Sequence, residues 1–499
     1  MSDPRTAWTI LAPLIAALVA AALLAAAAVR RLPPRSVPWL RLLALVTGAA
    51  GLLVEGVLLV VAQGEAAIPT VGVTAAINDE ARLVLLAANV AIFCAMLFVW
   101  GGSESAPYAP RHDLAPVAAL VTSSMAAGAA LLTDGAAAIL CLFVAALAAS
   151  ALAVSAPRGD VPPVPAPADA ATESADDRET RARLARRVAS GLKHAGLALL
   201  GTGLLMSGVL LASRYAFNLE DRGLLQLGLG LMAAGLLVRS GSMPFAAAWA
   251  DAVEAAPGAA VLMLGAGVPA TLVSVALMLD SIEAVPNGVS GAAWLGVLGA
   301  LLAGVRALGA VVQARRAGGL DPEGLEAAFV AVRARSTLAG MTVALAAGWA
   351  VFGLLSGWPG GREGAILVAA NIAIAAPLLV LGSRTTTGDG AGLPEPVARL
   401  ARYGAAASLV GLPPLGGFPG TVLIAQAGAN AGGLWLIGLV LGSALVGAAW
   451  LAAAGSSAPL RPEPVVWRAR FAGPSLMLVL LLAALQLALF FFAPFSGAQ

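Results

Sequence analysis

Uniformly apolar stretches of about twenty residues recur from Trp8 to Phe492, and they constrain the fold more than any other feature of the chain. A helix needs about 20 mostly apolar residues to cross the hydrocarbon core of a bilayer. A transmembrane barrel would instead need short segments alternating apolar and polar side chains, and these runs of Ala, Leu, Val and Gly do not alternate. Of the 499 residues 11% carry a formal charge, against roughly a quarter in a soluble domain. The expected class is an all-α polytopic membrane protein. Its 57 glycines and 31 prolines suit that class, because small residues let helices approach closely in lipid and buried breaks are tolerated there.

Apolar windows between charged or Pro-rich breaks fall near 8–29, 41–62, 82–101, 114–132, 135–156, 189–212, 223–243, 258–280, 291–313, 336–356, 364–382, 401–428, 432–454 and 472–493, about fourteen spans. With the first loop placed inside, the cytoplasmic set holds Arg30, Arg31, Arg35, Arg111, the arginines of 178–187, Arg315, Arg316, Arg333, Arg335, Arg384, Arg399, Arg461, Arg468 and Arg470. The opposite set holds Arg5, Arg82, Arg214, Arg222 and Arg362. The positive-inside rule therefore puts both termini on the non-cytoplasmic side. The first apolar run is long and is followed by Arg30 and Arg31, which does not read as a cleavable signal peptide. Residues 157–187 read as a cytoplasmic linker running into an amphipathic helix start, and 315–335 as a second cytoplasmic loop.

Several function classes are poorly served by these residues. Cys94 and Cys141 fall in predicted spans, and with only His112 and His194 as imidazoles there is no metal set, haem ligation or iron–sulfur framework. No cofactor is expected. No phosphate loop, zinc His-Glu motif or GxSxG is present, and the arginines follow topology rather than a nucleic-acid-binding patch. Of the 29 basic residues 28 are Arg, and Lys193 is the single Lys. That matters for proton chemistry, because Arg stays protonated whereas a buried Lys can release its proton.

Charges inside spans are expensive and mark functional candidates. Glu55 lies within GLLVEGVLLVV, Lys193 opens the sixth span, Arg239 closes the seventh and Arg306 sits in the ninth. Interfacial snorkelling is an open reading for Lys193 and Arg306. The segment 237–257, LVRSGSMPFAAAWADAVEAAP, should break at Pro244, with Arg239, Asp251 and Glu254 flanking the break. Either helix ends and charges meet a polar path there, as in a transporter's broken helix, or the segment is a kinked turn with an interfacial Asp and Glu. A second break is expected in GLPPLGGFPG, residues 411–420, which holds Pro413, Pro414, Gly417 and Pro419. Two discontinuous segments in corresponding places, near spans seven and twelve, point to an internally repeated transporter.

The run Arg239, Gly241, Pro244, Phe245, Asp251, Glu254, Ala256 and Pro257, with Trp249 nearby, resembles the most characteristic region of the antiporter-like membrane subunits of respiratory complex I, Mrp-type cation/proton antiporters and membrane-bound hydrogenases. It is most similar to subunit N of bacterial complex I. GLPPLGGFPG resembles that family's twelfth-span signature, SGLKHAGLALLG with Lys193 the start of its sixth span, and NDEARL the approach to its third. The resemblance implies two inverted five-helix repeats at 114–283 and 284–456, flanked by spans at 1–113 and 457–499. It also implies a bacterial inner-membrane location, partner membrane subunits of a complex I-like or hydrogenase-like assembly, and quinone, where present, in a neighbouring subunit.

The family's proposed proton path uses a Glu in the fifth span and Lys in the seventh, eighth and twelfth. In this chain the matching places are held by the region of Phe143, by Arg239, by Ala270 after Pro269, and by Thr421. A guanidinium does not switch charge usefully, and Ala and Thr carry none. The resemblance thus implies the scaffold of a proton-translocating arm whose own pumping through the usual residues is not expected. Glu55 is a candidate partner for Arg239, with lipid-facing or interfacial placement equally open. An Mrp-like or hydrogenase-associated ion transporter subunit, or a membrane subunit of an inorganic-carbon uptake complex, are the alternatives.

Overall fold

The computed structural model describes residues 3–28, 36–68, 73–101, 114–154, 175–217, 222–241, 245, 247–280, 291–320, 325–383, 395–430, 433–455 and 472–492. Every apolar window read from the sequence contains helix. The first helices are α1 (Pro4–Ala28), α2 (Val37–Val61), α3 (Asp79–Gly101), α4 (Ala115–Leu131), α5 (Gly135–Val154) and the long α6 (Ala175–Phe217). Then come α7 (Arg222–Arg239), α8 (Ala247–Ala255), α9 (Pro257–Leu262) and, after a π-helical turn at Met263–Gly267, α10 (Val268–Asp280). The remainder comprises α11 (Ala293–Leu320), α12 (Leu325–Leu355), α13 (Pro359–Ser383), α14 (Glu395–Val410), α15 (Gly417–Asn430), α16 (Leu434–Gly455) and α17 (Ala472–Phe492). Among the described residues nine helices are long and apolar enough to cross a bilayer, and α4, α7 and α17 add shorter apolar ones. The chain is a multi-pass helical membrane protein.

Helices α10, α12 and α13 form the buried centre, whereas α1, α2 and α16 show apolar side chains outward, among them Leu18, Leu53 and Leu451. A helix apolar all round belongs in a core or in lipid, and both uses occur here. Close crossings rely on small residues. Gly208 in α6 faces Gly228 in α7, and a Cβ on either would lie within 2.9 Å of the other's carbonyl oxygen. Gly296 in α11 and Gly348 in α12 repeat this arrangement, with Cβ positions 2.7 and 2.8 Å from the opposing carbonyls.

One element departs from the all-helical expectation. Between α2 and α3 the strands β1 (Gly64–Ile68) and β2 (Val73–Ile77) pair antiparallel, Gly64 opposite Ile77 and Ile68 opposite Val73. A lone hairpin is marginal in water, and this one is tied down on two sides. The Asp3 amide donates to the Glu65 carbonyl at 2.9 Å, and the Gln63 amide to the Asp3 carboxylate at 3.0 Å. Ala75 bridges to Leu132, while Thr74 and Thr133 hydroxyls meet at 2.6 Å. The same turn separates α4 from α5, and Asp134 accepts the Ala136 amide at 2.8 Å to cap α5.

The loop expected at 315–335 is much shorter, because α11 runs through Gly318 and Gly319 to Leu320 and α12 begins at Leu325. Residues 155–174 of the expected 157–187 linker lie outside the described residues, and from Ala175 onward the chain is already α6.

At the hairpin end Arg362, in the first turn of α13, ties three helices together. Its guanidinium donates to Glu80 Oε1 at 3.0 Å and Oε2 at 2.7 Å and also reaches Asp280 at the end of α10. Substituting Arg362→Met leaves two carboxylates facing each other without their cation. A loss of about 1.5–3 kcal/mol is expected, the range for hydrogen bonds to charged groups, with partial recovery on adding Asp280→Asn. Unfolding midpoints in detergent check this, and equal midpoints for the parent and Arg362→Met would refute it.

Candidate functional site

Both expected breaks are present, and their interiors are polar. Helix α7 stops at Arg239 and helix resumes at Ala247; Pro244 lies outside the described residues. Gly241 turns the chain with φ +63°, a conformation that costs other residues. Trp249, 2% exposed, packs over that turn and its indole N–H donates to the Ser240 carbonyl at 3.0 Å. Pro257 marks a further interruption: α8 ends at Ala255 and Ala256, the residue before the proline, leaves the helical region with φ −143° and ψ 63°. Pro257 itself starts α9, where its missing N–H costs nothing. Pro269 follows the π-helical turn: it has no N–H for the Gly265 carbonyl, and its ring would crowd that oxygen, so the backbone opens and Val268 N–H bonds to Met263 O.

Arg239 is buried at the end of α7. Its Nη2 donates to the Leu142 carbonyl of α5 at 2.8 Å, Nη1 to Thr202 Oγ1 of α6 at 3.1 Å, and Nε to Thr271 Oγ1 of α10 at 3.3 Å. Thr202 and Thr271 pass their own protons back to Ala198 O and Gly267 O, at 2.6 and 2.7 Å. Gly201 makes room, since a Cβ there would lie 2.5 Å from Arg239 Cγ. Among the described residues no carboxylate reaches the guanidinium. A cavity of about 20 Å³ adjoins it, lined among others by Thr122, Ala146, His194, Arg239, Trp249 and Gly267. His194 is buried against Trp249, ring centroids 5.0 Å apart.

Glu55 is 1% exposed, neither lipid-facing nor interfacial. It does not pair with Arg239. Its carboxyl accepts from Asn89 Nδ2 in α3 at 3.0 Å and from the Ser123 hydroxyl in α4. Lys193 pairs with Asp251 at 2.6 Å, and Arg186 with Glu254 at 3.1 Å, so the acids near the first break clasp α8 to α6 instead of facing Arg239. Lys193 keeps 57% of its side chain exposed. Arg306 is exposed on α11.

In the second break α14 ends at Val410 and α15 begins at Gly417. Pro413 and Pro414 occupy the connection, whereas Gly417 and Pro419 lie in the first turn of α15. The groups freed there are met by side chains: Asn371 Nδ2 donates to the Ser408 carbonyl at 3.3 Å, and the Gly417 amide to Ser408 Oγ at 3.3 Å. Ser408 Oγ also lies 2.7 Å from Asn371 Oδ1 and 2.6 Å from Gln486 Oε1 of α17. Thr421 turns its hydroxyl back on the Gly417 and Phe418 carbonyls. This network is neutral, while the first break is built on a cation.

Sequence reasoning singled out Arg239, Glu55, Lys193, Asp251 and Glu254 but not the uncharged residues that hold them. Asn89, Ser123, Thr202, Thr271 and the Asn371–Ser408–Gln486 network had no motif to announce them. His194 had one available signal, its place beside the single Lys.

No protein-family model matches the chain, and no curated protein matches it. Solved structures do. The chain is similar to one in the Mrp complex from Dietzia sp. DQ12-45-1b, at 18% identity over 90% of this chain and 79% of that one, with a TM-score of 0.62. It is similar to a chain of the membrane-bound sulfane sulfur reductase, an archaeal respiratory membrane complex, at 20% identity, 98% and 95% coverage and a TM-score of 0.65. For a chain of respiratory complex I from Thermus thermophilus the values are 17% identity, 98% and 96% coverage and a TM-score of 0.63. The chain shares its fold with membrane chains of these three assemblies, two of which, the Mrp complex and complex I, belong to the group that the resemblance in its two broken-helix segments named.

Proposed function

We propose that the chain is an antiporter-like membrane subunit of a complex I-type respiratory assembly, similar to subunit N, serving as scaffold in a proton-translocating arm. The carrying observation is a fold shared over nearly the whole chain with subunits of respiratory membrane complexes, with a broken helix in each half. On this reading 114–283 and 284–456 are the two inverted repeats, 1–113 and 457–499 flank them, both termini lie on the non-cytoplasmic side of a bacterial inner membrane, and neighbouring membrane subunits cover part of the exposed apolar surface. Quinone, where the assembly uses it, belongs to a neighbour.

The interior supports a structural rather than a proton-carrying role for the usual positions. Arg239 is held by the Leu142 backbone carbonyl, next to the place where the resemblance puts an acid. Ala270 and Thr421 cannot load a proton path. Purification in mild detergent from native membranes, followed by mass spectrometry, tests the assignment. Stoichiometric recovery of a quinone-reducing module with other antiporter-like subunits is the expected result. Recovery alone, or with a soluble carbon-hydrating protein, would sink it.

A further inference from the structure

The buried guanidinium of Arg239 has a hydrogen-bonding set but, among the described residues, no counter-charge. Leu142 O, Thr202 Oγ1 and Thr271 Oγ1 are neutral acceptors, and they take three of the five N–H groups an Arg carries. A buried charge is costly unless it is paired as well as hydrogen-bonded. The adjoining cavity is lined by Arg239 together with two side chains whose polar atoms are buried and without a partner among the described residues, His194 Nε2 and Thr122 Oγ1. His194 is 7% exposed and Thr122 1%. Trp249 packs on the His194 ring while committing its own N–H to Ser240, so it fixes the imidazole without satisfying it.

Each of the three can donate into the same space: an uncommitted guanidinium N–H, the imidazole in the tautomer with hydrogen on Nε2, and the threonine hydroxyl. Water would answer their hydrogen bonds and leave the charge unbalanced. An anion answers both. A volume of about 20 Å³ is enough for one particle of the size of water or a little larger. We propose that this cavity binds one small monovalent inorganic anion of the size of chloride, held by Arg239, His194 and Thr122. The site goes beyond the reading as a respiratory subunit and does not depend on it.

The test uses the full chain in mild detergent, with chloride as the probe and gluconate as the control anion at equal ionic strength. Radiolabelled chloride is expected to bind at about one ion per chain, and the unfolding midpoint should rise with chloride concentration but not with gluconate, as a ligand of the folded state requires. Thr122→Val keeps shape and charge, and should weaken chloride binding roughly tenfold, about 1.4 kcal/mol. Arg239→Gln should abolish it; if that variant does not fold, Thr122→Val decides. Folded parent protein that retains no chloride, or midpoints identical in the two salts, would mean that the cavity holds water and would overturn the proposal. Chloride binding unchanged by Thr122→Val would overturn it as well. Neither result bears on which subunits copurify.

Discussion

Gly241→Ala is expected to remove most of the folded protein. Gly241 has φ +63°, and a Cβ there would lie 0.9 Å from Trp249 Nε1 and 1.7 Å from its Cδ1. No small adjustment relieves that overlap, so the indole must leave its buried seat. The backbone conformation costs about 1–2 kcal/mol for a residue with a Cβ, and losing a buried Trp's packing costs about 3–5 kcal/mol. Together, at about 4–7 kcal/mol, they reach the lower end of an ordinary folding free energy, about 5–15 kcal/mol. The displaced Trp249 also abandons the Ser240 carbonyl and the His194 ring, so the first break loses its frame. Gly433 supplies the control. Its φ is +81°, but nothing lies within 4 Å of its Cβ position, so Gly433→Ala should cost only the backbone term. Fluorescence-detected size exclusion and unfolding midpoints separate the two, and equal behaviour of Gly241→Ala and Gly433→Ala would contradict this account.

Gly208→Ala should weaken the junction of α6 and α7, while Gly203→Ala in the same helix should not. At Gly208 an added Cβ meets Met232 Cγ at 2.6 Å, Gly228 O at 2.7 Å and Met232 N at 2.8 Å. Two of these are backbone atoms, so the helices must part. Overpacking of this kind costs about 1–3 kcal/mol. Gly203 has open space around it, and Ala there gains helix propensity of about 0.5–1 kcal/mol. Opposite signs from one substitution type five residues apart are the expected result, read as unfolding midpoints in detergent. Parting α6 from α7 also draws Thr202 away from Arg239, so Gly208→Ala should lower chloride affinity as well. Gly208→Ala with an unchanged or raised midpoint would refute the crossing argument.

Much of the architecture is written locally in this chain. A bilayer demands about 20 apolar residues per crossing helix, so each span is visible as an uninterrupted run whatever its neighbours are. The breaks were also legible, because prolines and glycines act on the backbone of their own segment: GLPPLGGFPG cannot continue one straight helix in any surroundings. The hairpin was not legible. GEAAI and VTAAI carry little strand signal, and their pairing depends on Asp3 and Leu132, residues far away in the chain.

Site residues divide along the same line. Charges in apolar runs announce themselves by their cost, which is why Glu55 and Arg239 could be picked out at once. Their partners could not, since a neutral Asn, Ser or Thr in a membrane helix is unremarkable until packing sets it against a charge. The sequence left Glu55 free to pair with Arg239; the fold puts Glu55 among α2, α3 and α4 with Asn89 and Ser123, and Arg239 among α5, α6 and α10. By itself, then, the sequence determined the helical membrane class, the order of the spans and the places where helices break, because these follow from hydrophobicity and backbone chemistry acting over one segment. Only the tertiary structure decided which buried groups meet, because hydrogen bonds and charge compensation act over about 3 Å between segments whose separation along the chain sets no distance.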